Sequence, residues 1–201
     1  MNPYHRWYCA SKGWARVVQD FMLPGVIGDR DLGSDVLEVG PGPGLTTDWL
    51  RARVPRLTAI EIDRRLARSL EQRLAGTNVT VVKGDATDMP FPDASFSGAV
   101  SFTMLHHVPS AALQDRLLAE VARVLRPGGL FIGSDSTPTF RWNLVHLFDT
   151  RVPIDPDAFA GRLQAAGFAE PRVRRGEGPY FSFMARKPRP RPRRLRRRPS
   201  I

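Results

Sequence analysis

Three glycines at alternate positions, Gly40, Gly42 and Gly44, follow the apolar run Val36-Leu37-Glu38-Val39 and precede an amphipathic stretch that starts at Thr46. Glycines so placed permit a tight strand-to-helix turn and let a ligand approach main-chain N–H groups at a helix N-terminus, which suits a nucleotide-like molecule. Glu61 follows Gly40 by 21 residues and ends the next apolar run, where a carboxylate can accept hydrogen bonds from both hydroxyls of a ribose. His106 and His107 stand just beyond a later apolar run. A neutral imidazole there can take a proton from a reacting group at ordinary pH, and His107 is the candidate catalytic residue, ahead of His106. Packing or a loop hydrogen bond is the competing role for both rings. His5 and His146 are more remote, and the four histidines lack the close spacing of a metal site.

The glycine spacing separates two cofactor classes. A dinucleotide fingerprint needs G-x-G-x-x-G/A, but the sixth position is Leu45 counted from Gly40 and Thr47 counted from Gly42. A nicotinamide dinucleotide is therefore excluded, and what remains is E-x-G-x-G-x-G beginning at Glu38.

These residues need elements to hold them. Short apolar runs at Val36–Val39, Leu57–Ile60, Val79–Val82, Gly98–Phe102 and Leu130–Gly133 alternate with amphipathic stretches at Thr46–Arg53, Leu66–Leu74 and Ala111–Leu125. That alternation predicts βα units with five parallel strands. Arg126-Pro127-Gly128-Gly129 stops the third helix. A further helix at Asp157–Ala166 precedes strands at Pro171–Arg175 and Tyr180–Ala185, which Gly176-Glu177-Gly178-Pro179 joins as an antiparallel hairpin. The expected fold is α/β, a Rossmann-like seven-stranded, mostly parallel sheet with a C-terminal antiparallel hairpin and helices on both faces.

The E-x-G-x-G-x-G segment resembles motif I of the class I S-adenosylmethionine-dependent methyltransferases, and the resemblance covers roughly residues 36–185. Ala59-Ile60-Glu61-Ile62-Asp63 is similar to the second motif, with Glu61 in the ribose position; Asp63 is expected to cap the following helix. Gly84-Asp85-Ala86 resembles the segment in which an acidic side chain accepts from the adenine amino group and the next main-chain N–H meets the ring. Phe96–Val108 is similar to motif IV, with Ser101 at the strand end where family members contact the cofactor, and Leu125–Leu130 resembles the turn into strand five. The resemblance thus implies S-adenosyl-L-methionine as cofactor, held by Glu38, Gly40, Gly42, Gly44, Glu61, Asp85, Ala86 and Ser101, and in-line methyl transfer with no protein nucleophile.

The two halves resemble different branches. Residues 38–63 are similar to ribosomal RNA adenine dimethyltransferases, but those enzymes carry Asn-(Ile/Leu)-Pro-(Tyr/Phe) after strand four, where this chain has Ser101-Phe102-Thr103-Met104-Leu105-His106-His107. From Asp85 onward the chain resembles the small-molecule branch that includes ubiquinone and menaquinone biosynthesis methyltransferases. One departure is Ser97, where many relatives have Asp. A small acceptor is the leading expectation. The alternatives are an RNA or protein methyltransferase that uses the basic tail, and a non-catalytic S-adenosylmethionine-binding protein.

Aromatic residues cluster where an acceptor would be enclosed: Tyr4, Trp7, Tyr8, Trp14 and Phe21 in residues 1–34, expected as helical lid material, and Phe140, Trp142 and Phe148 in a second wall. Packing against a sheet face is the alternative for the first group. An apolar or aromatic acceptor follows from them.

A net charge of +10 on 201 residues suggests nucleic acid or an anionic surface, but residues 186–201 hold nine basic groups and no acid, leaving +1 on the remainder. The expected organisation is a lid segment at 1–34, a cofactor-binding domain at 35–185 and a disordered Arg/Pro-rich tail at 186–201, through which alone a polyanion would bind. The single Cys9 excludes an intrachain disulfide and fits a reducing, cytoplasmic compartment, and no apolar run approaches the length of a membrane span.

Overall fold

The computed structural model describes residues 11–139, 144 and 150–190. At the centre is β1 (Asp35–Val39), whose residues from Val36 to Val39 are all buried. A strand covered on both faces reads as an unbroken apolar run, as this one does apart from Glu38. β1 lies between β2 (Arg56–Glu61) and β4 (Phe96–Phe102), parallel to both, with Val36 opposite Leu57 on one side and Gly98 on the other. β3 (Val79–Lys83) adds to β2 and β5 (Leu125–Ser136) adds to β4, again in parallel. β6 (Ala169–Arg175) and β7 (Tyr180–Arg186) form the expected antiparallel hairpin, but β7 is the strand that pairs with β5, so the order is β3-β2-β1-β4-β5-β7-β6.

Alternate residues on the strands serve opposite faces. Leu37, Ala99, Phe131 and Phe183 share one core with Leu117, Leu118, Phe159 and Leu163, which come from the two C-terminal helices. Val36, Val100, Leu130 and Ile132 share the other core with Val18, Met22, Leu23, Val26, Ile27 and Leu50.

The chain from Lys12 to Val26 forms one helix, α1, in three registers: α over Lys12–Arg16, π over Val17–Met22 and α over Leu23–Val26. Pro24 has no N–H to give and its ring crowds the carbonyl four residues back, so the wide turn lies where an ordinary register cannot pass unbroken. Val18, Met22, Leu23 and Val26 are buried on the sheet, so this segment packs on a sheet face as well as flanking the site. The other lid aromatics, Tyr4, Trp7, Tyr8, Phe140, Trp142 and Phe148, lie outside the described residues, as do His5 and His146.

The remaining helices are α2 (Leu45–Arg51), α3 (Arg64–Arg73), α4 (Ala111–Val124) and α5 (Pro156–Ala165). Asp63 caps α3 as expected, accepting the N–H groups of Arg65 at 2.8 Å and Leu66 at 3.1 Å. Ser97 is structural: its Oγ lies 2.9 Å from Leu32 O and accepts the Asp35 N–H at 2.9 Å, tying the approach to β1 onto the start of β4.

Two boundaries differ from the sequence reading. Helix α4 stops at Val124, but Pro127-Gly128-Gly129 is absorbed into β5 rather than forming a separate turn. Gly128 N–H donates to Lys187 O at 2.8 Å and Lys187 N–H donates to Gly129 O at 2.9 Å, while Arg186 pairs with Leu130. Of the residues placed in the tail by composition, Arg186 is thus the last residue of β7 and Lys187 is tied by its main chain to the start of β5. Residues 191–201 lie outside the described residues.

Candidate active site at the carboxyl ends of the parallel strands

The three motif glycines do three different jobs. Gly40 has φ +70°, donates its N–H to Ile60 O at 3.0 Å, and a Cβ there would run into the Met104 side chain. Gly44 has φ +93° and opens α2; a Cβ there would fall 2.5 Å from a Leu70 methyl carbon, so it serves helix packing. Gly42 has φ +55° and open space where its Cβ would be. A ligand can approach its main chain closely.

The turn borders a cavity of about 1010 Å³ at the carboxyl ends of the parallel strands, the edge where open α/β sheets bind ligands. Of the eight positions read from the sequence as cofactor-binding, Glu38, Gly40, Gly42, Glu61, Asp85 and Ala86 line it. Gly44 and Ser101 do not. Ser101 is still within the sheet, paired with Val39 and Gly133 and 1% exposed, and the cavity wall begins one residue later at Phe102. The strand runs on one residue further than the motif suggests.

Glu61 is buried beside the cavity and accepts two main-chain N–H groups, from Gly42 at 3.0 Å and Asp63 at 2.9 Å. Burial raises its pKa, and these hydrogen bonds oppose the rise. Each carboxylate oxygen keeps lone-pair capacity for a further donor. Asp85 is exposed at the rim, where its Oδ1 accepts the Thr87 N–H at 2.8 Å. Glu38 is different in kind. Both of its oxygens are buried without a hydrogen-bond partner, and so is Thr47 Oγ1. Burial pushes its pKa up to about 8, and the charges of Asp48 and Glu61 add to the rise.

Much of the remaining lining is apolar. Trp14, Val17, Val18, Phe21 and Met22 of α1 contribute to it, four of them in the π-helical turn. Among the described residues, the large apolar side chains that remain exposed are Val17, Phe21, Ile62 and Leu144, and all four line this cavity.

Residues 105–107 form a single 3₁₀ turn beyond β4, and both histidines line the cavity. His107 is half-buried, with Nδ1 3.2 Å from Thr150 O. His106 is 1% exposed, with Nδ1 2.5 Å from Oδ1 of the fully buried Asp135, whose Oδ2 accepts the His106 main-chain N–H at 3.3 Å. The carboxylate partner belongs to His106, while His107 has a carbonyl. Asp135 escaped the sequence reading. An acid at the end of a strand otherwise buried on both faces, in Gly133-Ser134-Asp135-Ser136, was the available signal.

The methyltransferase-domain family model matches residues 37–133, the span from β1 into β5. The chain carries a class I S-adenosylmethionine-dependent methyltransferase domain. The chain is 36% identical over 110 residues to a fatty-acid O-methyltransferase of Mycolicibacterium smegmatis, across 54% of this chain and 39% of that protein. It is also 40% identical over 80 residues to ribosomal RNA small subunit methyltransferase A of Deinococcus radiodurans, across 36% of this chain and 27% of that one. The chain therefore spans well under two thirds of these curated relatives. A solved S-adenosylmethionine-dependent methyltransferase from Aquifex aeolicus shares the fold, with a TM-score of 0.73 at 20% identity over 93% of this chain and 99% of that one.

S-adenosylmethionine is the cofactor of this methyltransferase domain, and the residues present fit it. Its ammonium and sulfonium are cationic, and the cavity offers one buried carboxyl without a partner, Glu38, beside a second, Glu61. Among the described residues there is no cluster of three or more groups able to hold a metal ion, and no helix is long and apolar enough to cross a membrane.

Proposed function

We propose that the chain transfers a methyl group from S-adenosylmethionine to a small apolar or aromatic acceptor. The observation that carries this is that one cavity is lined by two chemistries: Glu38, Glu61, Asp85 and the glycine turn, together with the apolar side chains Trp14, Val17 and Phe21 of α1. When bound, the cofactor supplies an electrophilic methyl on sulfur. The chain's share is then alignment and exclusion of water, and alignment alone is worth up to roughly 7–11 kcal/mol in well-oriented systems. In this reading Glu61 holds the ribose, Asp85 and Ala86 meet the adenine, and Glu38 faces a cationic group. The apolar wall suits an acceptor held by burial of its surface, and the similarity to a fatty-acid O-methyltransferase supports the same class.

The test has two parts. Calorimetry with S-adenosylhomocysteine reads the cofactor side, and labelled methyl transfer to a panel of apolar phenols, fatty acids and amines reads the acceptor side. Binding with transfer only to RNA would overturn the acceptor assignment. That second reading draws on the basic residues after Lys187 and on the similarity to an RNA methyltransferase.

A further inference from the structure

We infer that the face of the β6–β7 hairpin turned away from α5 is a docking surface for the phosphate backbone of a nucleic acid, continuous with the basic segment that begins at Lys187. It concerns binding and stands whichever molecule accepts the methyl. Phe181, Phe183 and Ala185 of β7 are buried in the core to which α5 gives Phe159 and Leu163, so the alternate residues Ser182, Met184 and Arg186 face the other way. Arg172 lies opposite Met184, and Arg174 lies opposite Ser182. Residues directly opposite on antiparallel strands share a face, so Arg172, Arg174 and Arg186 stand in one file. Met184 packs against the core beneath α1 but is only half-buried, and the three arginines are exposed.

The two faces of this hairpin treat arginine differently. On the α4–α5 side Arg116 pairs with Asp88, Arg123 with Glu120 and Asp93, Arg162 with Asp115, and Arg175 of β6 with Asp157 of α5. The side chains of Arg172 and Arg174 make no ion pair or hydrogen bond among the described residues. Arg186 spends one of its five N–H donors on Gly128 O at 3.1 Å. The acids of the hairpin, Glu170 in the bulge of β6 and Glu177 in the turn, pair with none of them. The near-neutral total of residues 1–185 thus conceals a segregation, since carboxylates cancel guanidinium charge beside α5 and leave it standing on the far face.

The file leads into the basic segment. Arg174 and Arg172 are two strand residues apart, about 7 Å, and Arg186 lies two residues beyond the partner of Arg172. Lys187 and Arg189 come next, and six more arginines lie in residues 191–201. A guanidinium offers a planar fork of donors that matches phosphate, and each contact releases a counterion, so a row of unpaired arginines suits a repeated phosphate. An anionic bilayer fits less well. Interfacial binding adds apolar side chains that sink beneath the head groups, and the exposed large apolar residues among those described, Val17, Phe21, Ile62 and Leu144, all line the cavity instead.

Fluorescence anisotropy of a labelled single-stranded RNA of mixed sequence, with no methyl donor present, tests this. The full chain is compared with Arg172→Gln/Arg174→Gln, with Arg65→Gln/Arg68→Gln, and with a stop after Pro190. Arg65 and Arg68 are exposed on α3, which packs on β2 and β3 at the opposite edge of the sheet, so that pair removes the same charge elsewhere. The hairpin variant should bind about 10-fold or more weakly, with a logarithmic salt slope lower by about 1–2, while the α3 variant stays within about 2-fold of wild type. The stop after Pro190 should weaken binding as well. Loss on that stop with wild-type affinity in the hairpin variant would confine the site to the tail and overturn the inference. Equal weakening in the two double variants would reduce it to net charge and overturn it too. So would wild-type binding to phosphatidylglycerol vesicles but not to RNA, or to neither. Unchanged melting temperatures show that the variants are folded, and S-adenosylhomocysteine affinity, read separately, tests the methyl-transfer reading without bearing on this one.

Discussion

The Glu61 carboxylate ties two turns together, holding the Gly42 N–H through one oxygen and the Asp63 N–H through the other. The loop after β1 and the loop after β2 are thereby set against each other before any ligand arrives. Replacing Glu61 with Ala should weaken S-adenosylhomocysteine binding by about 1–3 kcal/mol, since it removes charge-assisted acceptors. Unchanged affinity in a folded variant, read by calorimetry, would defeat the ribose assignment.

Glu38 makes stability and binding depend on pH. Its pKa is raised by burial from 4.5 to about 8, so the folded state favours the neutral carboxyl more than the unfolded state does. The resulting stabilisation is fully present below 4.5 and is lost as pH rises toward 8. Urea titrations from pH 5 to 8 should show declining stability of the unliganded protein, flattened in Glu38→Gln. A cationic ligand group favours the ionised form, so cofactor binding at pH 7 should release up to about one proton. Calorimetry in two buffers of different ionisation enthalpy measures it, and equal heats would count against the contact.

Gly40 and Gly42 should respond differently to alanine. Both have positive φ, which costs an L-residue about 1–2 kcal/mol, but only at Gly40 would the added carbon strike a neighbour, Met104. Gly40→Ala should lower the melting temperature more than Gly42→Ala. Gly42→Ala should still lose cofactor affinity, because its new carbon occupies the approach to the main chain. A stable Gly42→Ala with wild-type affinity would place the cofactor elsewhere.

Phe21 is 72% exposed, and Leu23, two residues along α1, is fully buried. Phe21→Ser should change stability by no more than about 0.5 kcal/mol, whereas Leu23→Ala should cost about 2–5 kcal/mol. The Phe21 variant should raise KM for an apolar acceptor and leave cofactor affinity alone. An unchanged KM would separate α1 from acceptor recognition.

Where the chain is cut decides what a tail deletion reports. A stop after Pro190 removes six arginines and none of the described sheet pairing, and should leave the melting temperature unchanged. A stop after Ala185 also removes the Arg186 pairing and the Lys187 Nζ bond to Arg123 O at 3.1 Å, and should lower it. Salt-dependent activity lost on the shorter deletion would favour an RNA acceptor.

The sheet was legible because β1, β2 and β4 are covered on both faces and must be written in continuous apolar residues. The helices were legible from caps such as Asp63 and Ser110, whose side chains accept first-turn N–H groups. At the site, Glu38, Glu61, Asp85 and the turn glycines carry a spacing that survives without coordinates. Ser101 and Gly44 show its limit, since one further paired residue, or a helix packed behind a turn, takes a motif position out of the cavity. The partnership of His106 with Asp135 joins residues 29 apart on neighbouring strand ends, and only the β4–β5 register brings them together. The π-helical turn had no sequence marker beyond Pro24.

Lys187 docks against Gly128 and Gly129 at the start of β5, and the cavity is reached past Ser136 at the far end of the same strand. At about 3.3 Å per residue that is a separation on the order of 20 Å. The sheet thus has a floor, where Lys187 is rooted, and a roof, where the cavity opens. Anything that gripped the chain near Lys187 would leave the roof turned outward to receive a different molecule.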